Sequence, residues 1–585
     1  MECTVLYNGE VAPGCFRLVM SPPADATPPL PGQFYSIRCG GSTVPLLRRP
    51  FSVHRRLEWN GVEFLYRVIG KGTSWLAERR AGDVLDVLGP LGNGFSLQED
   101  VTHAVLVARG IGIAPLYALG EAILKKASDV RLSILIGARL KQRLFYREEL
   151  EALGSVYWYT DDGSEGFKGR AAELLRHLLV TGVLPRHCTL YACGPDSMLK
   201  ELADVASEHG LRGQAALETH MGCGFGACLS CAVPLKPQSL CINTMWKKPA
   251  LQWSEDRGRF TPSCARTAPF TTCRRLTGMN GSPDLTVRLG RLELKNPVMP
   301  ASGTFGYGQE YASFLDLNRL GAVTVKTITL KPRIGSYPHR STEVPSGLLS
   351  TIGLQNVGIE RFIKEKLPFF DQITPALIVN IGGESIEEYV TLARMLDAYS
   401  RINALEVNVS CPNVHRGGMH FGVDPHVMED LIARIRSETE KPLIVKLTPM
   451  VTDISMFAQI AKRCGADAVS LINAPVGMAV DIRTKRSRLG RNPTGGLTGP
   501  AIRPLALYLV RRVFKSVEIP VIGIGGITKW EDAVEFFLAG ASAVQIGTMN
   551  FIHPGAAVDV IDGIRNYLLD AGINSLSQLI GTLRE

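Results

Sequence analysis

The segment Leu405-Glu406-Val407-Asn408-Val409-Ser410, followed directly by Cys411-Pro412-Asn413-Val414, joins an apolar strand to a polar loop. Seven further apolar segments recur along the same half of the chain, separated by stretches long enough for helices: 297–301, 322–326, 376–380, 442–447, 468–472, 519–524 and 543–547. Eight strands alternating with helices are typical of a (β/α)₈ barrel, whose active site lies at the carboxyl ends of the strands. The sequence therefore predicts a TIM barrel over residues 279–585, with Cys411 at its mouth.

Polar side chains follow several of these strands at the point where each strand ends: Lys326, Thr327, Asn380, Lys446 and Asn473. A lysine near a barrel core needs an anionic partner, and a reduced flavin supplies negative charge. The glycine turns Gly525-Gly526 and Gly547-Thr548 follow the last two strands, where barrels of this kind cradle a phosphate. Together these features predict an FMN-binding barrel.

Cys411 has two interpretations. It could be a small core residue, but Pro412 and the flanking asparagines favour a loop that reaches solvent and carries function.

The N-terminal part of the chain has a different pattern. Residues 1–100 contain short alternating strands broken by Gly and Pro, which predicts a small antiparallel β-barrel. From His103, buried strands alternate with helices, which predicts an α/β nucleotide-binding domain over residues 101–215. The fold class is therefore multidomain, with the TIM barrel at its C-terminal end.

Three glycine-containing or arginine-containing motifs lie in this N-terminal part: Arg48-Arg49-Pro50-Phe51-Ser52, Gly70-Lys71-Gly72-Thr73 and Gly110-Ile111-Gly112-Ile113-Ala114-Pro115. In this order they resemble the ferredoxin–NADP⁺ reductase superfamily. The resemblance implies FAD contacts from the first two motifs: Arg49, Pro50, Phe51, Ser52, Gly72 and Thr73. The third motif would border the nicotinamide site.

Ala108 and Arg109 depart from that superfamily, which usually has glycines at both positions. A Cβ atom there narrows access of the backbone to a pyrophosphate, although Arg109 could itself contact phosphate. The choice between NAD and NADP stays open.

Cys223-Gly224-Phe225-Gly226-Ala227-Cys228-Leu229-Ser230-Cys231 has the cysteine spacing of plant-type ferredoxins. Gly224 and Gly226 would let backbone N–H groups approach the sulfides of a two-iron two-sulfur cluster. Zinc is the alternative, but zinc sites prefer paired two-residue spacings. Residues 216–241 are therefore the predicted cluster region. Cys241 is the nearest candidate for a fourth ligand, with Cys264 and Cys273 further along.

Taken together, the two halves resemble a NAD-linked (class 1B) dihydroorotate dehydrogenase. Residues 1–233 resemble its electron-transfer subunit, and residues 279–585 its FMN catalytic subunit. The catalytic blocks that match are Pro300-Ala301-Ser302-Gly303-Thr304, Ile352-Gly353-Leu354-Gln355-Asn356, Asn408-Val409-Ser410-Cys411-Pro412-Asn413 and Gly495-Gly496-Leu497-Thr498-Gly499-Pro500.

The resemblance implies a set of FMN contacts: Ser302, Lys326, Thr327, Asn380, Asn408, Lys446, Ile472, Gly499, Gly525, Gly526, Gly547 and Thr548. Substrate would be held by Lys326, Asn408, Asn413 and Asn473. Cys411 would remove the C5 proton of dihydroorotate while hydride leaves C6 for flavin N5. A thiolate suits that role only if cations or amide donors lower its pKa. Electrons would then pass from FMN through the cluster and FAD to NAD⁺, in the pathway to UMP.

The resemblance fails at three places. Segment 242–278 has no helical or strand period, and we interpret it as an irregular linker. A shift of reading frame before a second gene start at Met279 is the hypothesis that would explain it. Ser350 stands where the family generally has Asn, and Ala474 where it has Thr or Ser. Each change removes a hydrogen-bonding group from the substrate pocket, which suggests weaker orotate binding or a related pyrimidine as substrate.

Net charge, apolar runs and cysteine content indicate where the protein works and what it does not bind. The net charge of +9 comes from 64 basic and 55 acidic residues spread along the chain, which favours a solvated surface over nucleic-acid binding. There is no apolar run of 18 residues and no signal-peptide pattern, so we expect a cytoplasmic protein with no membrane contact. We expect thirteen cysteines in a reducing compartment to be ligands, catalysts or core residues. A homo-oligomer through the barrel is also expected.

The sequence leaves two other functions open. One is an FMN oxidoreductase that acts on another dihydropyrimidine, which Ser350 and Ala474 would favour. The other is a non-catalytic electron-transfer protein, against which the retention of Cys411, Lys326 and the glycine turns argues.

Overall fold

The computed structural model describes residues 1–41, 43–57, 61–96, 100–126, 129–233, 282–409 and 421–584. The predicted linker, the candidate ligand Cys241 and the loop residues Cys411 and Asn413 lie outside these ranges.

The first part is a closed six-stranded barrel, as predicted. All its strand pairs are antiparallel. Its strands are Glu2–Ala12, Cys15–Ser21, Phe34–Ile37, Arg49–Arg56, Val62–Arg67 and Val84–Leu91, with the short helix Lys71–Ala77 between the last two. Fully buried side chains such as Leu18, Tyr35 and Phe64 fill its interior.

The second part is a six-stranded parallel sheet. Its strands are His103–Arg109, Arg131–Ala138, Ser155–Thr160, Phe167–Lys168, Thr189–Cys193 and Arg212–Ala216. Its helices are Ile113–Lys126, Arg147–Glu151, Ala171–Val180 and Asp196–Glu208. The chain order reverses beside strand His103–Arg109, which pairs on one side with Arg131–Ala138 and on the other with Thr189–Cys193. Nucleotides bind parallel sheets at such a switch point, and the Gly110–Gly112 turn lies there.

The third part is the predicted TIM barrel, and all eight predicted strands are confirmed. They are Val298–Pro300, Ala322–Ile328, Ala376–Ile381, Ala404–Asn408, Leu443–Lys446, Ala468–Leu471, Val521–Ile524 and Ala543–Ile546, each parallel to its neighbour. The Gly321 N–H donates to the Val298 carbonyl at 3.0 Å, which shows that the first and second strands lie side by side.

Helices surround this barrel: Ile359–Arg361, Ile386–Asp397, Pro425–Arg436, Ile454–Arg463, Arg503–Phe514, Trp530–Ala539, Met549–Ile552 and Ala556–Asp570. Side-chain caps fix where several of them begin. Asp424, for example, accepts hydrogen bonds from the His426 and Val427 N–H groups at the start of Pro425–Arg436. Short strands form a cover over the mouth: Ser341–Val344, Gly347–Ser350, Val476–Gly477 and Gly495–Thr498. Two small hairpins are built from Val287–Leu289 with Leu292–Leu294 and from Val480–Asp481 with Arg486–Ser487.

The N-terminal parts pack against the mouth of the TIM barrel. The buried Arg48 guanidinium donates to the Ile552 carbonyl at 2.6 Å and pairs with Asp86 at 2.5 Å, so it joins the two barrels. Residues 222–231, which contain the three clustered cysteines, form a loop that we call the cysteine loop. Its Phe225 ring packs on Tyr311 and Phe314, with ring centroids 5.0 Å apart in both cases. The predicted cluster region is therefore held directly against the predicted flavin barrel.

Candidate active site

A cleft with about 1040 Å³ of empty space opens at the carboxyl ends of the barrel strands. Seven residues predicted to bind flavin or substrate line it: Ser302, Lys326, Thr327, Asn408, Lys446, Asn473 and Thr548. Gly222, Cys228 and Ser230 of the cysteine loop line the same cleft.

Lys446 is the most firmly held of the cationic residues in the cleft. Its ammonium donates to the Ser302 hydroxyl at 3.1 Å and lies 3.8 Å from the Glu406 carboxylate. Ser302 and Lys446 both line the cleft, whereas Glu406 lies beneath them with no exposed surface. The sequence placed Lys446 in the site, but it did not identify Glu406.

Lys326 is buried at the end of the second strand. Burial lowers the pKa of its ammonium, because the charged form loses hydration, and the nearby Cys228 and Glu310 oppose that shift. Among residues 282–409 and 421–584, no carboxylate lies within ion-pair distance of this ammonium. A lysine in such a position is suited to an anionic group bound in the cleft.

Asn408 and Asn473 form the amide side of the cleft. The Asn473 amide N–H donates to the Asn408 side-chain oxygen at 3.2 Å. The Asn408 backbone carbonyl accepts a hydrogen bond from the Tyr389 hydroxyl at 2.7 Å, which fixes the end of the strand. Two amides held in this way can donate to and accept from a cyclic imide.

The glycine turns provide a second test of whether FMN fits. Gly525 and Gly526 have φ angles of 136° and 73°, and a Cβ atom on either would lie within 2.8 Å of another side chain. Only glycine is compatible with that backbone, and a turn of this kind lets main-chain groups approach a phosphate closely. The residues present therefore fit an FMN.

Some predicted contacts are not among the residues that line the cleft: Asn380, Ile472, Gly499, Gly525, Gly526 and Gly547. The Asn380 amide instead donates to Glu406 at 2.6 Å, below the cleft. Cys411 and Asn413 lie outside the described residues, so the roles assigned to them remain predictions.

The cysteine loop has the compact geometry that its glycines predict. Gly224 and Gly226 have φ angles of 85° and 90°, and Cys223, Cys228 and Cys231 are all buried. The Cys228 N–H donates to the Cys223 sulfur at 3.4 Å, and hydrogen bonds from Cys223 and Ser230 lower the pKa of the Cys228 thiol. Thiols surrounded by N–H and O–H donors fit an iron–sulfur cluster. Within the described part of the chain, no three His, Cys, Asp or Glu side chains are grouped closely enough to hold one metal ion.

Two of the residues predicted to bind FAD, Arg49 and Thr73, contact other residues of the protein. The Arg49 guanidinium pairs with Glu343 of the TIM barrel at 2.5 Å, and a Cβ atom on Gly72 would lie 3.0 Å from the Arg49 side chain. The Thr73 hydroxyl accepts the N–H groups of Ile69 and Gly70 and so fixes the turn before the helix. Pro50, Phe51 and Ser52 belong to the strand that contains Arg49.

Arg109 was a candidate for phosphate binding. Its guanidinium instead forms a two-point ion pair with Asp161 at 2.9 and 2.6 Å, which lowers the pKa of that carboxyl. The Gly112 backbone packs directly on the Cys193 carbonyl. Only glycine permits this contact, since a Cβ atom on residue 112 would lie 2.3 Å from the carbonyl oxygen.

Sequence reasoning missed three residues that hold the site together: Glu406, Arg48 and Arg340. Arg340 is buried and donates to the Leu229 carbonyl at 3.2 Å and to the Ser336 carbonyl at 2.5 Å, which ties the cysteine loop to the cover of the barrel. For Glu406 a signal was present, namely an acidic residue within an otherwise apolar strand.

Ser350 and Ala474 both line the cleft, so the changes noted in the sequence fall in the site itself. We expect Ser350→Asn combined with Ala474→Thr to tighten orotate binding if orotate is the product. Each restored hydrogen bond contributes about 0.5–1.5 kcal/mol, which is roughly two- to twelvefold in affinity. Titration of bound FMN absorbance with orotate measures the change. Weaker orotate binding in the double variant, with FMN content unchanged, would instead favour another pyrimidine.

Three family models match the chain. Residues 284–568 match the dihydroorotate dehydrogenase family, residues 106–204 match the oxidoreductase NAD-binding domain, and residues 218–243 match the iron–sulfur cluster binding domain of dihydroorotate dehydrogenase B. No helix in the described part of the chain is long and apolar enough to cross a membrane.

Curated relatives match about half of the chain. The catalytic subunit of dihydroorotate dehydrogenase B (NAD⁺) from Thermodesulfovibrio yellowstonii is 50% identical over 303 residues, which are 52% of this chain and 100% of the relative. The corresponding subunit from Pelobacter propionicus is 52% identical over 301 residues, 52% of this chain and 99% of the relative. Among solved structures, a ligand-free DHODH from Eimeria tenella is 23% identical, covers 52% of this chain and 92% of its own, and has a TM-score of 0.44.

Proposed function

The chain belongs to the dihydroorotate dehydrogenase family, and we propose that it oxidises dihydroorotate to orotate with NAD⁺ as the final electron acceptor, a step in the synthesis of UMP. One observation carries this proposal. The lysines and amides that the family motifs predict for flavin and substrate converge in a single cleft, and the cysteine loop forms part of its wall.

In this proposal FMN is held by Ser302, Thr327, Lys446 and Thr548 in the cleft, with its phosphate at the Gly525-Gly526 turn. When bound, FMN accepts the hydride of the substrate. Lys326, Asn408, Asn473 and Asn413 hold dihydroorotate, whose carboxylate supplies the anion that the buried Lys326 ammonium lacks. Cys411 takes the C5 proton.

The cysteine loop provides the exit for electrons. Cys223, Cys228 and Cys231 hold a two-iron two-sulfur cluster, with Cys241 as the proposed fourth ligand. FAD binds between residues 49–52 and the Gly72-Thr73 turn, and NAD binds at residues 110–115. Because Cys228 lines the cleft, a cluster held by these cysteines would lie beside the flavin and would supply the one-electron route from it toward FAD and NAD⁺.

The proposed division of the chain follows from these sites. Residues 1–100 bind FAD, 101–215 bind the nicotinamide nucleotide, 216–241 hold the cluster, 242–278 form the irregular join and 279–585 are the catalytic barrel. We also propose a homo-oligomer through the barrel, where the exposed apolar residues Met478, Val480 and Ile482 are available for contact.

A second candidate function is oxidation of a different dihydropyrimidine. It is favoured by Ser350 and Ala474, because both remove hydrogen-bonding groups from the cleft. Comparing the rates at which dihydroorotate and dihydrouracil reduce the bound FMN separates the two functions.

We expect one FMN and one FAD per intact chain, because the two proposed flavin sites belong to separate parts of the fold. Denaturing extraction followed by chromatography measures both flavins, and a coupled assay should show NADH formed from dihydroorotate and NAD⁺. A single type of flavin in the purified chain would contradict the two-flavin scheme.

A further inference from the structure

Glu406 is a charged residue in the interior of the TIM barrel. It lies on the fourth strand, Ala404–Asn408, and its side chain has no exposed surface. Removing an ionised carboxylate from water is strongly unfavourable unless charged and hydrogen-bonding partners offset the loss. The contacts of Glu406 therefore indicate what this carboxylate does.

Four groups surround the carboxylate. One oxygen accepts the Asn380 amide N–H at 2.6 Å and lies 3.8 Å from the Lys446 ammonium. The other accepts the Ser470 hydroxyl at 3.0 Å and the Gln545 amide N–H at 2.8 Å. These partners come from four different strands, so the carboxylate joins much of the barrel beneath the cleft.

The two amides show that the network is built around an anion. Asn380 and Gln545 both direct their N–H groups toward Glu406, and the side-chain oxygen of each is buried with no hydrogen-bond partner. Leaving a buried acceptor unpaired has a cost. Asn380 and Gln545 each leave an acceptor unpaired because an ionised carboxylate only accepts hydrogen bonds. It therefore needs a donor on each of its two oxygens.

Lys446 connects this network to the cleft. It is the only one of the four partners that lines the cleft within the described residues, and it also contacts Ser302 there. Asn380, Ser470 and Gln545 are fully buried below it. The carboxylate therefore acts on a bound molecule through the position and charge of Lys446.

We propose that Glu406 is a positioning residue that holds the Lys446 side chain at the cleft floor and thereby sets the reduction potential of the bound flavin. This inference rests on the proposed function, because it requires that FMN occupies the cleft. A reduced flavin carries negative charge, so it is stabilised by the positive charge of Lys446, and this stabilisation weakens if the ammonium is no longer held in place.

Glu406→Gln tests the charge with little disturbance of packing. The glutamine has the same shape, and its N–H group can be accepted by Gln545 or Asn380 once either amide turns over, because each has an unpaired oxygen. We expect the variant to keep its FMN and to have a more negative FMN midpoint potential than the wild type, because the Lys446 ammonium is then held less firmly at the cleft floor.

A reductive titration against a reference dye in the full chain measures the potential, and the change that orotate produces in the spectrum identifies the FMN transition. Ser470→Ala is the matched control, since it removes a neutral donor from the same carboxylate and leaves both charges in place. Its FMN potential should stay close to that of the wild type.

Two further variants separate a positioning role from a structural one. In a Lys446→Met background Glu406 has lost its cation, so adding Glu406→Gln should change the potential much less than it does with Lys446 present. Glu406→Asp draws the carboxylate away from Lys446 by one methylene and should give a smaller shift in the same direction, which keeps the test available if Glu406→Gln does not fold.

The outcomes distinguish this inference from the proposed function. Wild-type protein without FMN would overturn the proposed function. Wild-type protein with FMN, and Glu406 variants whose potential equals that of the wild type, would overturn the positioning role alone. An equal shift in both Lys446 backgrounds would also overturn it, because Glu406 would then not act through the lysine.

Discussion

Replacing Cys411 by alanine should leave FMN bound but slow dihydroorotate oxidation by roughly 10²–10⁴-fold at neutral pH, the usual effect of losing a general base. The proposed role of the thiol is to take the C5 proton, and no step of FMN binding requires it. Cys411→Ser should recover part of the activity only at high pH, because a hydroxyl is a far weaker acid than a thiol. Stopped-flow reduction of FMN by dihydroorotate measures the step itself.

Cys464→Ala is the matched control for this experiment. Cys464 belongs to the same barrel, caps the end of helix Ile454–Arg463 and lies outside the cleft. It should keep the wild-type rate of FMN reduction. If Cys411→Ala also keeps that rate, Cys411 has no part in the reaction.

Replacing Cys223 by alanine should abolish NAD⁺ reduction by dihydroorotate while reduction of an artificial dye continues. Cys223 is a proposed cluster ligand, and without it the path from FMN to FAD is broken. It is buried in the cysteine loop but, unlike Cys228, does not line the cleft, so the flavin site should be preserved. Paired assays with NAD⁺ and with a dye, together with iron content, measure the effect.

Cys188→Ala controls for the loss of a buried thiol, because Cys188 is buried just before strand Thr189–Cys193 in the second part of the fold. It should retain both activities and its iron. Undiminished NAD⁺ reduction in Cys223→Ala would show that electrons reach NAD⁺ without this cluster.

The barrel could be predicted from the sequence because its strands are buried on both faces. Such strands appear as short continuous apolar runs, and polar residues at their ends meet at one edge of the barrel. That geometry is why Lys326, Asn408, Lys446 and Asn473 could be assigned to one site although they are far apart in the sequence.

Glu406 could not be assigned in the same way. Its importance depends on the register between strands, which places Asn380 directly opposite Glu406 and places Lys446 opposite both Asn408 and Ser470. The sequence shows an acidic residue within an apolar strand. It does not show which four strands supply the partners of that residue.

Arg49 illustrates a second limit. Its sequence context predicts an FAD contact, whereas the structure also pairs it with Glu343, which lies 294 positions further along the chain. That contact depends on how the N-terminal barrel packs on the TIM barrel, and short motifs contain no information about such packing.

The most direct test of the proposed function is an anaerobic titration of the purified chain with dihydroorotate, followed by addition of NAD⁺. We expect dihydroorotate to reduce FMN, the cluster and FAD together, with reduction complete after about 2.5 equivalents because the three centres accept five electrons in total, and NAD⁺ to reoxidise them with formation of NADH. If FMN stays oxidised in excess dihydroorotate but is bleached by another dihydropyrimidine, the proposed substrate is wrong.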